Sequence, residues 1–120
     1  MNRDMQQLES DLITTKYTKV MQDANYELAP TYFQVIRVSD GFILGEINFQ
    51  NGAIKESGVN GVMNEDLIAM AIRRLECFQE TKFKCRENAM AITKLEEALM
   101  WLRKRTNGRE NKGIEGTHKI

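Results

Sequence analysis

Tyr32-Phe33-Gln34-Val35-Ile36-Arg37-Val38-Ser39-Asp40-Gly41-Phe42-Ile43-Leu44-Gly45-Glu46-Ile47-Asn48-Phe49 decides the first half of the fold. β-Branched and aromatic side chains crowd both flanks, and such residues suit a pleated, half-buried surface. Ser39-Asp40-Gly41 separates the flanks, and its glycine is free to take positive φ. The stretch therefore reads as a β-hairpin with strands Tyr32–Val38 and Phe42–Phe49. Working outward, Gln50-Asn51-Gly52 is a further turn, and Ala53-Ile54-Lys55-Glu56 reads as a short third strand. Upstream, Tyr17–Met21 alternates and reads as a strand. Leu8, Leu12 and Ile13 suggest a short helix before it, giving way near Thr14-Thr15-Lys16.

Beyond the loop Gly58-Val59-Asn60-Gly61-Val62 the apolar period changes. Leu67, Ile68, Ala71, Ile72, Leu75 and Phe78 recur at helical spacing, which predicts a helix over Asn64–Gln79. Asn64 suits its N-cap, with Glu65 and Asp66 placed where the helix dipole favours anions. After the connector Glu80–Cys85, a second helix is expected over Arg86–Arg105, with Ala89, Ile92, Leu95, Leu99 and Leu102 on one face. A short connection between two amphipathic helices gives an antiparallel αα-hairpin. Residues 107–120 carry Gly108, Gly113 and Gly116 and no periodicity, so they are expected to form an irregular tail. The fold class is α+β in a single domain: a β-rich half over about residues 1–60, the helical hairpin over 61–106 and the tail.

The 120 residues fit one domain. Lys plus Arg and Asp plus Glu number 17 each, for a formal net charge of zero. A surplus of cations drives nonspecific nucleic-acid binding, so a DNA or RNA partner is not expected. A local basic pocket for a small anion stays open. No apolar run approaches the roughly 20 residues of a membrane helix, and the first residues are polar, unlike a signal peptide. Cys77 and Cys85 are the two cysteines. They are expected as free thiols in a reducing cytoplasm, a disulfide across the hairpin tip being the alternative. His118 is the sole histidine and no metal-ligand spacing is present, so neither metal nor cofactor is expected.

Met90, Met100 and Trp101 enlarge the apolar surface of the second helix beyond one stripe. Another subunit is the expected cover, a twofold dimer first, with an unusually wide intramolecular core as the alternative.

Asn60-Gly61-Val62-Met63-Asn64-Glu65-Asp66-Leu67 is followed by Phe83-Lys84-Cys85-Arg86-Glu87-Asn88, Thr93-Lys94-Leu95-Glu96-Glu97-Ala98-Leu99, Arg105-Thr106, Arg109 and Gly113-Ile114-Glu115-Gly116-Thr117. In that order these pieces resemble a phage helical-hairpin family that includes the anti-Thoeris and anti-CBASS sponges. The hairpin, with Val38-Ser39-Asp40-Gly41 and Gly45-Glu46-Ile47-Asn48-Phe49-Gln50, looks like the sheet half of the anti-Thoeris branch. The resemblance covers roughly residues 32–117. It implies a counter-defence protein in the cytoplasm of an infected bacterium. Such a protein binds a cyclic ADP-ribose isomer made by a TIR-domain enzyme and does not cleave it. Some relatives also take cyclic oligonucleotides at a separate site.

A cyclic ADP-ribose isomer needs cations for its pyrophosphate, an aromatic face for its base and an amide for the base edge. Phe78 and Phe83 flank the expected hairpin tip, Arg86 and Asn88 follow, and Arg105 and Arg109 stand at the far end. Each has a plainer reading: the two rings as core, Asn88 as a helix cap, the arginines as complements to a helix C-terminus. Asn88 and Arg105 lie about 26 Å apart along a helix. One nucleotide cannot bridge that span within a subunit, so two antiparallel second helices are expected to build two pockets from both chains. No P-loop, dinucleotide fingerprint or nucleophile elbow appears, and no catalytic residue is expected. The competing function is a structural or adaptor hairpin without a ligand.

Overall fold

The computed structural model describes residues 4–111. The elements are β1 (Met5–Gln7), β2 (Thr18–Asp23), β3 (Tyr32–Arg37), β4 (Ile43–Asn48), α1 (Ile54–Ser57), α2 (Asn64–Gln79) and α3 (Arg86–Asn111). A four-stranded antiparallel sheet in the order β1-β2-β3-β4 is thus followed by helices, which is the α+β class expected. The chain divides between Asn51 and Gly52 into two compact units, strands in the first and helices in the second.

In the first unit the hairpin forms as its sequence dictates. The Arg37 N–H donates to Phe42 O at 2.8 Å, and the Gly41 N–H to Arg37 O at 2.7 Å. Gly41 has φ 76°, the left-handed region a Cβ disfavours. Asp40 locks the turn: its carboxylate accepts Arg37 Nε at 2.9 Å, Nη2 at 2.7 Å and the Phe42 N–H at 3.1 Å. Val35 pairs with Gly45 but Ile36 with Ile43, so Leu44 is an extra residue in a β-bulge. The bulge re-aims the start of β4. Phe33 and Phe49 meet edge to face, with centroids 5.4 Å apart.

The segment expected as a short helix near Leu8–Ile13 is not one. β1 instead pairs with β2, Met5 opposite Asp23 and Gln7 opposite Met21. Leu12 is 94% exposed, so a helix there would have no apolar face to bury, whereas the sheet edge offers β1 backbone partners.

In the second unit the expected third strand is also corrected, because residues 54–57 are α1. Gly52 turns the chain at φ 89°, where a Cβ would meet Ser57 Oγ at 2.5 Å. The reversal lets the Ala53 carbonyl accept the N–H groups of Glu56 and Ser57. α2 has the expected limits, but Met63 is its N-cap and Asn64 its first residue. Asp66 takes the capping role, accepting the Met63 N–H at 2.9 Å. α2 and α3 pack against each other, with Ile72 of α2 buried.

α3 runs six residues past the expected end, to Asn111. Within this extension the Thr106 hydroxyl donates to Leu102 O at 3.2 Å, and Arg109 in the last turn complements the helix dipole. Residues 112–120 of the expected tail, His118 included, lie outside the described residues. From Asn88 to Thr106 the half-buried positions of α3 are Asn88, Ala91, Ile92, Leu95, Ala98, Leu99, Leu102 and Thr106, a stripe at helical spacing in which Ala91 replaces the expected Ala89; Gly108 and Arg109 are half-buried in the last turn. Among the described residues Met90, Met100 and Trp101 are 43%, 70% and 68% exposed.

Candidate functional site

The connector between α2 and α3 is short and heavily bonded. The Thr81 hydroxyl donates to Phe78 O at 2.6 Å and accepts the Phe83 N–H at 3.1 Å. The Thr81 N–H reaches Phe78 O at 3.0 Å, and the Lys84 N–H reaches Thr81 O at 3.2 Å. Gln79 spans the connector by giving Nε2 to Cys85 O at 2.9 Å and accepting the Cys85 N–H on Oε1 at 3.0 Å. A serine- or threonine-centred turn of this kind gives the backbone partners that the helices no longer supply.

Two aromatic rings stand on this frame. Phe83 is 63% exposed, so the core reading does not hold for it, while Phe78 sits at the edge of exposure. A cation lies over each: Arg74 Cζ is 5.0 Å from the Phe78 centroid and Lys82 Nζ 5.3 Å from that of Phe83. Such contacts hold a positive charge beside a π face without neutralising it. Sequence reasoning missed Arg74, Lys82, Gln79 and Thr81. The i, i+4 spacing of Arg74 and Phe78 was the one available signal for the first.

Arg86 opens α3 and Asn88 stands in its first turn. They are close in sequence but not on one face: at 3.6 residues per turn their side chains leave the helix about 160° apart. Asn88 heads the half-buried stripe; Arg86 is exposed on the opposite side. Asn88 is not the cap, since it lies within the helix rather than before it. Arg105 and Arg109 stand near the other end, Arg109 half-buried about 60° round from Asn88 and Arg105 exposed about 100° round. The continuous helix keeps Asn88 and Arg105 about 26 Å apart. Phe78, Phe83, Arg86 and Asn88 thus gather at the connector end of the helical unit, and Arg105 and Arg109 do not.

The far side of α3 carries a second apolar line. Met90 and Trp101 are eleven residues apart, about 20° from eclipsed, and Lys104 Nζ lies 5.0 Å from the Trp101 ring. Lys94 and Glu97 pair at 3.8 Å on the same side. Cys77 and Cys85 are free, exposed thiols. Among the described residues no cluster of His, Cys, Asp and Glu could hold a metal ion, and no helix is long and apolar enough to cross a membrane.

Sheet, helices and a bonded connector define a small α+β protein whose helical unit carries an exposed ring and cations at its connector. A family model described as Acb2/Tad1, hairpin domain, matches residues 43–107. The chain is also 44% identical to "Thoeris anti-defense 1" of Bacillus phage SBSphiJ7, over 95% of this chain and 99% of that protein. The chain belongs to the Acb2/Tad1 family, and its place beside that relative gives it a counter-defence role.

Proposed function

We propose that the protein blocks Thoeris immunity by binding and sequestering a cyclic ADP-ribose isomer in the cytoplasm of the infected bacterium, leaving the messenger intact. The observation that carries this reading is Phe83: a large ring, mostly exposed, held by a hydrogen-bonded connector, with Lys82 over it and Lys84 next to it in the chain. A ring so placed gives an adenine a stacking face, and the neighbouring cations face a pyrophosphate. Asn88, with both a donor and an acceptor, serves the base edge.

The pocket is completed by a second copy. Arg105 and Arg109 cannot reach the connector end of their own helix, but α3 helices packed antiparallel bring them to the connector end of the partner. Glu97 near the twofold axis is offset by Lys94. Cyclic oligonucleotides are a further ligand class for such a surface.

Titration calorimetry against a panel of cyclic ADP-ribose isomers and cyclic dinucleotides tests the reading. The expected dissociation constant is nanomolar, about −12 kcal/mol, and the ligand is recovered whole after denaturing the complex. Recovery of fragments would instead identify a hydrolase. An adaptor without a ligand, which the exposed Met90–Trp101 line also suits, would show no rise in melting temperature with any compound of the panel.

A further inference from the structure

Gln79 is the last residue of α2, yet its side chain serves the start of α3. Its carboxamide closes a two-bond ring with the backbone of Cys85, donating at 2.9 Å and accepting at 3.0 Å. Few side chains can do both. Glutamate keeps the acceptor and loses the donor, asparagine is one methylene short, and lysine has no acceptor. The ring fixes the residue directly before α3, and Thr81 fixes Phe83 inside it. An apolar ring on a loose connector would fold down to escape water; here it is 63% exposed. Holding it out before a ligand arrives removes the ordering cost that binding would otherwise carry.

We propose that Gln79 is a positioning residue for ligand binding, acting through Phe83 by clamping the connector in its binding shape. This rests on the ligand reading above and names the residue that prepares that site. Gln79 need not touch the ligand.

The test compares the wild type with Gln79→Ala, Gln79→Glu, Phe83→Ala and the Gln79→Ala, Phe83→Ala double variant. Amide exchange at Cys85, melting temperature and affinity for the cyclic ADP-ribose panel are measured on each. In Gln79→Ala the Cys85 amide is expected to lose protection and affinity to fall about tenfold, while the melting temperature moves by only a few degrees. Gln79→Glu, which keeps the acceptor for the Cys85 N–H, is expected to recover part of both. Because Gln79 acts through Phe83, its loss should cost less when Phe83 is already alanine. Unchanged Cys85 protection in Gln79→Ala overturns the clamp. Unchanged affinity, or penalties that simply add, overturns the positioning role. A wild type that takes up nothing from the panel overturns the ligand reading and this inference together. The wild-type titration separates that failure from a failure of Gln79 alone.

Discussion

At the scale of single residues, Asp40 shows how a local motif becomes a stability term. The Arg37 guanidinium, and next the Phe42 N–H, hold its carboxyl below the usual aspartate value, while Arg37 is itself raised. A lowered folded-state value means that the ionised form is favoured by folding. Its contribution is therefore present above the unfolded-state value, about 3.9, and is lost as pH falls through the lower folded-state value. Asp40→Asn should melt below the wild type at pH 7, and the gap should close as pH falls from about 4 towards 2. The effect is small, because the pair is exposed and screened. Thermal melts of both proteins across that range check it. The turn itself was legible in Ser39-Asp40-Gly41, since only glycine relaxes at φ 76°. The partners of Asp40 were not, because two side chains three residues apart meet only once the turn type is fixed. The same holds at the site. Phe83 was legible as an aromatic near the connector, but Gln79 and Thr81 read as plain polar residues until the backbone showed which groups they satisfy.

At the scale of elements, α2 was legible because one periodicity ran through it without interruption, and β3 and β4 because β-branched and aromatic residues crowd both sides of a glycine turn. The errors fell where local pattern and pairing disagreed. Ala53–Glu56 is apolar enough for a strand, yet the positive φ at Gly52 closes it into α1. Met5–Gln7 has no strand pattern, yet it forms β1 by pairing with a strand already in the sheet. α3 passed through Gly108, which by propensity should end it. The helix continues because Arg103, Lys104, Arg105 and Arg109 favour helix around the glycine. That residue is thus a weakness tolerated in the last turns. A Cβ there would meet nothing within 4 Å, and its φ is not positive. Gly108→Ala should raise stability by about 0.5–1 kcal/mol, chiefly by restricting the unfolded chain. A higher melting midpoint and stronger helical circular dichroism would show it; a loss of stability would mean that the glycine is needed for close approach by another chain.

At the scale of the whole molecule, the apolar residues buried among the described ones are few: Tyr32, Ala53 and Ile72. A chain of this size is marginal on its own surface-to-volume ratio, and leaving a tryptophan and two methionines of α3 in water makes it more so. The sequence exposed that excess through Met90, Met100 and Trp101, but it could not say whether other parts of the same chain would cover them. In the proposed assembly the exposed Met90–Trp101 line meets a second α3, and assembly is then linked to ligand capture. If each pocket takes Phe83 and Asn88 from one copy and Arg105 and Arg109 from another, assembly and affinity must fall together. Trp101→Asp introduces a charge at the C-terminal end of the line, one turn from Glu97 and far from the connector. It is expected to shift the sedimenting species towards 13.9 kDa and to weaken binding of the cyclic ADP-ribose isomer about a hundredfold or more, since each charged hydrogen bond from an arginine to a phosphate is worth about 1.5–3 kcal/mol. Sedimentation velocity and calorimetry on the same samples decide it. A monomeric variant that keeps wild-type affinity would place the whole pocket within one chain, and Arg105 and Arg109 would then have no part in it, because α3 is too long for one nucleotide to span.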